Sequence, residues 1–189
     1  MFVEVIPTTI RDLIIVDTKA FADDRGYFKE AYHKQDFAKA GLPDQFVQAN
    51  HSVSKKNVIR GLHFQWEPPM GKLMRVTRGQ AFLVAVDLRH GSPTLGQYHS
   101  IILDEDDTRQ IYAPAGFARG FCALSDRVDV QYQCTGTYSG SGESGIRWND
   151  PDLAIDWPDI SNPIISQKDR DARTISQWLA DERSFAFQY

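Results

Sequence analysis

The chain has 189 residues, 42% of them hydrophobic, 12% aromatic and 24% charged, with a formal net charge of -4. That composition excludes a disordered polymer, and the excess of acids argues against a general nucleic-acid binder, which needs a dense field of Lys and Arg. The length suits one well-buried domain over 1–189 better than two small ones.

The opening stretch, MFVEVIPTTIRDLIIVD, has early acids and only short apolar runs, so neither a signal peptide nor a membrane-spanning segment is expected. Short runs of alternating Val, Ile, Phe and Tyr then recur between Gly and Pro punctuation. In chain order they predict strands at 13–17, 26–32, 58–65, 72–78, 80–88, 97–103, 110–113, 120–124 and 128–134.

Helical signal is confined to 33–40, stopped by Gly41 and Pro43, and to the tail from 170 to about 180. In the run at 80–88, Phe82, Val84, Val86 and Leu88 fall on one face, with Leu83, Ala85 and Asp87 on the other. Such a strand is expected to be buried on both sides. The pattern predicts a mainly β fold, a double-sheet antiparallel jelly roll of the cupin-like kind with a few short helices. Pro-rich stretches near 150 and 157–163 carry the chain into a C-terminal tail, from about 163, that wraps the barrel.

Cys122 and Cys134 are the only cysteines and lie in apolar strand runs, at no metal-binding spacing. Reduced thiols and a cytoplasmic location are the expectation. Metal-dependent cupins converge several imidazoles on one ion. Here the first strand offers only His63, and the turn Pro114-Ala115-Gly116-Phe117-Ala118 is followed by Arg119, whose permanent charge would repel a divalent ion. No metal is expected.

Alternation places His63 on the strand face opposite Leu62 and Phe64. Arg60 and Lys72 lie on strands that can be adjacent, and Arg25 sits at another turn-to-strand junction, so the cations could grip a diphosphate. Each residue also has a plainer reading. His63 and Tyr132 can be hydrogen-bonded core residues, the cations can be solvated, and Asp169 can be an exposed acid or the N-cap of the last helix.

Several motifs resemble, in order and spacing, the dTDP-4-dehydrorhamnose 3,5-epimerase family. They are Arg25-Gly26-Tyr27-Phe28-Lys29-Glu30, Val47-Gln48-Ala49-Asn50-His51-Ser52, Arg60-Gly61-Leu62-His63-Phe64-Gln65, Gly71-Lys72-Leu73, Trp148-Asn149-Asp150-Pro151 and Ser166-Gln167-Lys168-Asp169. The likeness runs from about residue 10 to 170. It implies a jelly-roll homodimer that inverts carbons 3 and 5 of dTDP-4-dehydro-6-deoxy-D-glucose, giving dTDP-4-dehydro-L-rhamnose for dTDP-rhamnose biosynthesis, without metal or redox cofactor.

By the same resemblance His63 is the base, Asp169 the carboxylate that orients it, Tyr132 the acid on the opposite sugar face, and Lys72 the cation at the 4-keto oxygen. Gln48, Asn50, Arg60 and Tyr138 hold the nucleotide and diphosphate together with Arg25 and Glu30, which reach across the dimer interface. Phe28 forms a wall of that pocket.

One position departs from the family pattern. The Pro-x-Gly-Phe-Ala motif usually continues with His, and here Arg119 follows. Arg119 counts among the substrate-binding residues, where a fixed cation bears on substrate charge, on His63 and on which carbon reacts. A salt bridge behind the site, a single-centre epimerase (C3 or C5) and a sugar-nucleotide binding module without turnover stay open as alternatives.

Overall fold

Alternating side chains turn most of the chain into antiparallel strands that pair into two facing sheets. The computed structural model describes residues 3–189. β1 (Val3–Pro7) and β2 (Ile14–Thr18) precede a hairpin of β3 (Ala20–Asp23) and β4 (Gly26–Lys29), and α1 (Lys34–Lys39) follows. The barrel continues through β5 (Gln48–Lys55), β6 (Ile59–Gln65), β7 (Lys72–Arg78), β8 (Gln80–Asp87), β9 (Tyr98–Asp104), β10 (Arg109–Ala113), β11 (Phe117–Ala123), β12 (Arg127–Cys134) and β13 (Glu143–Gly145).

One sheet has the order β1-β2-β10-β7-β12-β5 and the other β13-β6-β11-β8-β9, while β3 and β4 pair only with each other. This is the predicted cupin-like antiparallel jelly roll. β8 is buried on both faces, as its two-sided apolar pattern requires. Leu83 and Ala85 enter the core between the sheets with Val76, Phe117, Phe121 and Val130. Phe82, Val84 and Val86 point to the outer face.

That outer face is closed by the C-terminal chain. Leu153, Ile165, Trp178 and Phe187 pack on Phe64 and Phe82, with the Phe64 and Trp178 rings 4.6 Å apart. Fully burying side chains of this size contributes about 1.5–3 kcal/mol each, which fixes the path of the tail and the segment before it. α1 buries Phe37 against Val16 and Leu73 on the outside of the other sheet.

The run predicted at 26–32 ends as a strand at Lys29. The single helix predicted for the tail is two short ones, α2 (Gln167–Arg170) and α3 (Ile175–Leu179). Thr174 divides them, because its side chain caps α3 in a reciprocal box with Gln177.

Candidate active site

The site begins with an irregularity in β6. Arg119 of β11 pairs with His63 and Phe121 with Arg60, so two steps on β11 span three on β6. The extra residue is a β-bulge at Gly61–Leu62. Strict alternation would put Arg60 and His63, three apart, on opposite faces. The bulge restores them to one face, and both line a cavity of about 150 Å³ between the sheets with Lys72, Arg119 and Tyr132.

Gly61 makes this possible. Its φ is +130°, and a Cβ there would lie 2.6 Å from the Gly120 Cα, so only glycine allows β6 and β11 to approach this closely.

The expectation that Arg60 and Lys72 lie on adjacent strands is corrected. β6 and β7 belong to opposite sheets, and the two cations meet across the cavity instead. An adjoining cavity of about 100 Å³ shares His63, Lys72 and Tyr132 and adds Gln48, Asn50, Tyr138 and Glu143.

His63 Nε2 lies 2.7 Å from Asp169 Oδ1. Asp169 is neither the exposed acid nor the N-cap that its position suggests. Ser166 is the N-cap of α2, and Asp169, in the first turn, is 4% exposed. Its second oxygen accepts the Gly61 N–H at 3.2 Å. Burial alone would raise the Asp169 carboxyl, but the hydrogen bond and charge of His63 outweigh it and hold the group below the usual carboxylate range.

Tyr132 faces the cavity from β12 in the opposite sheet, paired with Asn50 of β5. Burial raises its phenol above the ordinary value, which keeps it protonated at neutral pH. The Lys72 ammonium sits 5.1 Å from the centre of the Tyr132 ring. Burial first, and the charge of Arg119 second, push it down to about 8.

Arg119 is 4% exposed. Its Nη2 donates to the carbonyls of Met70 at 2.5 Å and Pro114 at 2.8 Å, while Nε and Nη1 are buried without a partner. The salt bridge weighed for Arg119 from the sequence is therefore absent among the described residues. Burial lowers the guanidinium to about 10, still charged at neutral pH.

Sequence reasoning passed over Glu143 and Lys168. The Glu143 carboxylate accepts from Lys168 Nζ at 2.5 Å and from the Tyr138 hydroxyl at 3.0 Å, and Gln48 Oε1 accepts the Tyr138 N–H at 2.8 Å. Glu143 stands in a Ser/Gly-rich stretch that reads as a loop; only its register opposite Gln65 brings it to the cavity.

Arg25, Phe28 and Glu30 are not brought to this cavity within the chain. They lie on or just after the β3–β4 hairpin, where Arg25 pairs with Asp23 at 2.5 Å and Phe28 is 67% exposed. Cys122 and Cys134 are buried free thiols. Among the described residues no group of three or more His, Cys, Asp or Glu is placed to hold a metal ion, and no helix is long and apolar enough to cross a membrane.

The model of the dTDP-4-dehydrorhamnose 3,5-epimerase family matches residues 7–177. The dTDP-4-dehydrorhamnose 3,5-epimerase of Salmonella typhimurium is 46% identical, over 94% of this chain and 98% of its own. The dTDP-4-dehydrorhamnose 3-epimerase of Streptomyces niveus is 44% identical, over 82% of this chain and 76% of its own. Among solved structures, the dTDP-6-deoxy-D-glucose-3,5-epimerase of Legionella pneumophila in complex with dTDP-4-keto-L-rhamnose superposes with a TM-score of 0.93. It is 41% identical, covering 100% of this chain and 99% of that one.

Proposed function

The chain belongs to the dTDP-4-dehydrorhamnose 3,5-epimerase family, and on that premise we propose that it inverts carbons 3 and 5 of dTDP-4-dehydro-6-deoxy-D-glucose, a step of dTDP-rhamnose biosynthesis. The observation that carries the reading is the pair of His63 on β6 with Asp169 on α2, with Tyr132 facing it across the cavity from β12 and Lys72 next to Tyr132 on the neighbouring strand β7.

Both hydrogens to be removed are adjacent to the 4-ketone, so loss of either leaves an enolate with its charge on the 4-oxygen. Each unit of pKa mismatch between carbon acid and base costs about 1.4 kcal/mol, and preorganised positive charge at that oxygen lowers the cost. Lys72 supplies it.

His63 takes the proton, with Asp169 fixing the tautomer and orientation of the imidazole. Inversion needs a proton returned from the other face. The neutral phenol of Tyr132 donates it. No redox step or cofactor enters this scheme. Gln48, Asn50, Arg60 and Tyr138, on the same cavities, hold the nucleotide and diphosphate, with Arg119 in the wall of the sugar subsite.

The working form is a homodimer in the cytoplasm. The β3–β4 hairpin exposes Phe21, Tyr27 and Phe28 and carries Arg25 and Glu30 away from the chain's own cavity; a second copy would bury the aromatics and receive the charged pair at its site.

Proton NMR of the substrate in heavy water tests the activity. Deuterium is expected at both carbons in wild type and at neither in His63→Ala. Absence of label with the intact protein overturns the reading. A single-centre epimerase is the second reading, favoured by Arg119 and by the similarity to the Streptomyces niveus 3-epimerase; label at one carbon alone selects it.

A further inference from the structure

The cavity wall holds three cations, Arg60, Lys72 and Arg119, and no carboxylate lines the chamber they share. Arg60 is held by Ser54 and the Val53 carbonyl. Arg119 cannot turn away, because its Nη2 is pinned between the carbonyls of Met70 and Pro114. Its other nitrogens are buried with no partner, and Lys72 has no ion-pair partner among the described residues. A buried Arg119 and a half-buried Lys72, like charges facing one chamber with no carboxylate in its lining, make proton loss easier for the one that can lose a proton.

We infer that Arg119 is a positioning residue for proton transfer: fixed in the wall beside Lys72, it makes the Lys72 ammonium a proton donor to the sugar's 4-oxygen rather than a static counter-charge. The inference rests on the proposed roles of His63, Tyr132 and Lys72. As His63 takes the carbon-bound proton, the C–H pair becomes the ring C=C bond and the carbonyl π pair moves to oxygen. That oxygen takes a proton from Lys72, whose nitrogen keeps the N–H pair. On return the amine recovers the O–H proton as C=O re-forms, and the carbon takes its proton from Tyr132. The protein is left with one proton more on His63 and one fewer on Tyr132, and exchange with water restores both.

Other groups also bear on Lys72. Its ammonium lies over the Tyr132 ring and shares the chamber with His63 on β6. Cys134 on β12 and Glu143 on β13 favour its charged form, and Lys168 on α2 disfavours it. Burial and Arg119 act more strongly than these, and they bring the ammonium to about 8.

The test is the pH dependence of kcat/KM, read by solvent-deuterium exchange, for wild type, Arg119→Gln, Arg119→Met and Arg119→Lys. Glutamine can still donate to a wall carbonyl, so it removes the charge with least disturbance of the fold. An alkaline limb near 8 is expected in wild type, assigned to Lys72 by its loss in Lys72→Met. In Arg119→Gln and Arg119→Met the limb should move up by roughly one pH unit, with a roughly tenfold loss of rate at neutral pH. Arg119→Lys should keep the limb in place. A merely structural Arg119 would leave it unmoved, and an unmoved limb in Arg119→Gln, with exchange still dependent on His63, overturns this inference alone. Exchange that survives His63→Ala overturns the underlying reading of the site instead.

Discussion

His63 Nε2 and Asp169 Oδ1 stand 2.7 Å apart although 106 residues separate them in the chain. The carboxylate also accepts the Gly61 N–H, so it ties α2 to the bulge of β6 and sets the imidazole plane. Asp169→Asn keeps the shape and removes the carboxylate charge that faces the imidazole. We expect kcat to fall by about 10²-fold or more, with little change in melting temperature. Exchange kinetics alongside thermal unfolding check this; a stable Asp169→Asn with wild-type kcat would remove Asp169 from the mechanism.

Arg25 lies on the exposed hairpin, so in a dimer that exchanges hairpins it completes the partner's site. Arg25→Ala and His63→Ala should each be impaired alone. Mixed after dissociation, they should form heterodimers in which one of the two sites is intact, and activity should recover toward roughly a quarter of wild type. No recovery from mixtures proven heterodimeric by mass would place Arg25 outside the partner's site.

The strands with an apolar run were legible from their alternation and punctuation, β8 above all, whose two apolar faces are both buried. β5 was not, because its inward positions Gln48, Asn50 and Ser52 face a polar cavity and give no apolar period. The bulge at Gly61 was equally hidden: it breaks the alternation that would separate Arg60 from His63, and only the pairing with Arg119 and Phe121 reveals it. Asp169 read as a cap because local position carries no information about a contact made 106 residues away. The individual roles came from collinear motifs, and Glu143 escaped because a lone acid among Ser and Gly has the look of a loop tip.

Asp87 lines neither cavity and anchors the end of β8. Fully buried, it accepts from Arg89 Nε at 2.9 Å and Nη2 at 2.8 Å, and from Ser92 and Thr94. Burial alone would raise its carboxyl; the Arg89, Ser92 and Thr94 hydrogen bonds hold it below the usual range. Because the folded value lies below the unfolded one, the stabilisation is present above the ordinary carboxylate range, about 3.9. It is lost as pH falls through the folded value. Asp87→Asn leaves Arg89 buried with only Asp12 as counter-ion and should cost about 3 kcal/mol at neutral pH. That difference should shrink below about pH 4. Urea unfolding at several pH values measures it, and an equal cost at all of them would refute the linkage.

Gly61→Ala tests whether the close approach of β6 and β11 builds the site. A Cβ there meets the Gly120 Cα at 2.6 Å and the Arg119 carbonyl oxygen at 2.9 Å. Both are backbone atoms that cannot yield without separating the strands, and the positive φ adds its own strain. Gly41, at φ +77° with nothing near its would-be Cβ, carries only the backbone term, so Gly41→Ala is the control. We expect Gly41→Ala to cost about 1 kcal/mol and Gly61→Ala about 3 kcal/mol or more. The latter should also lose most of its exchange activity even where it remains folded, because the Gly61 N–H that steadies Asp169 and the cross-strand pair of His63 with Arg119 shift together. Equal losses of stability in the two variants, with activity intact in Gly61→Ala, would mean that the bulge is incidental to the chemistry.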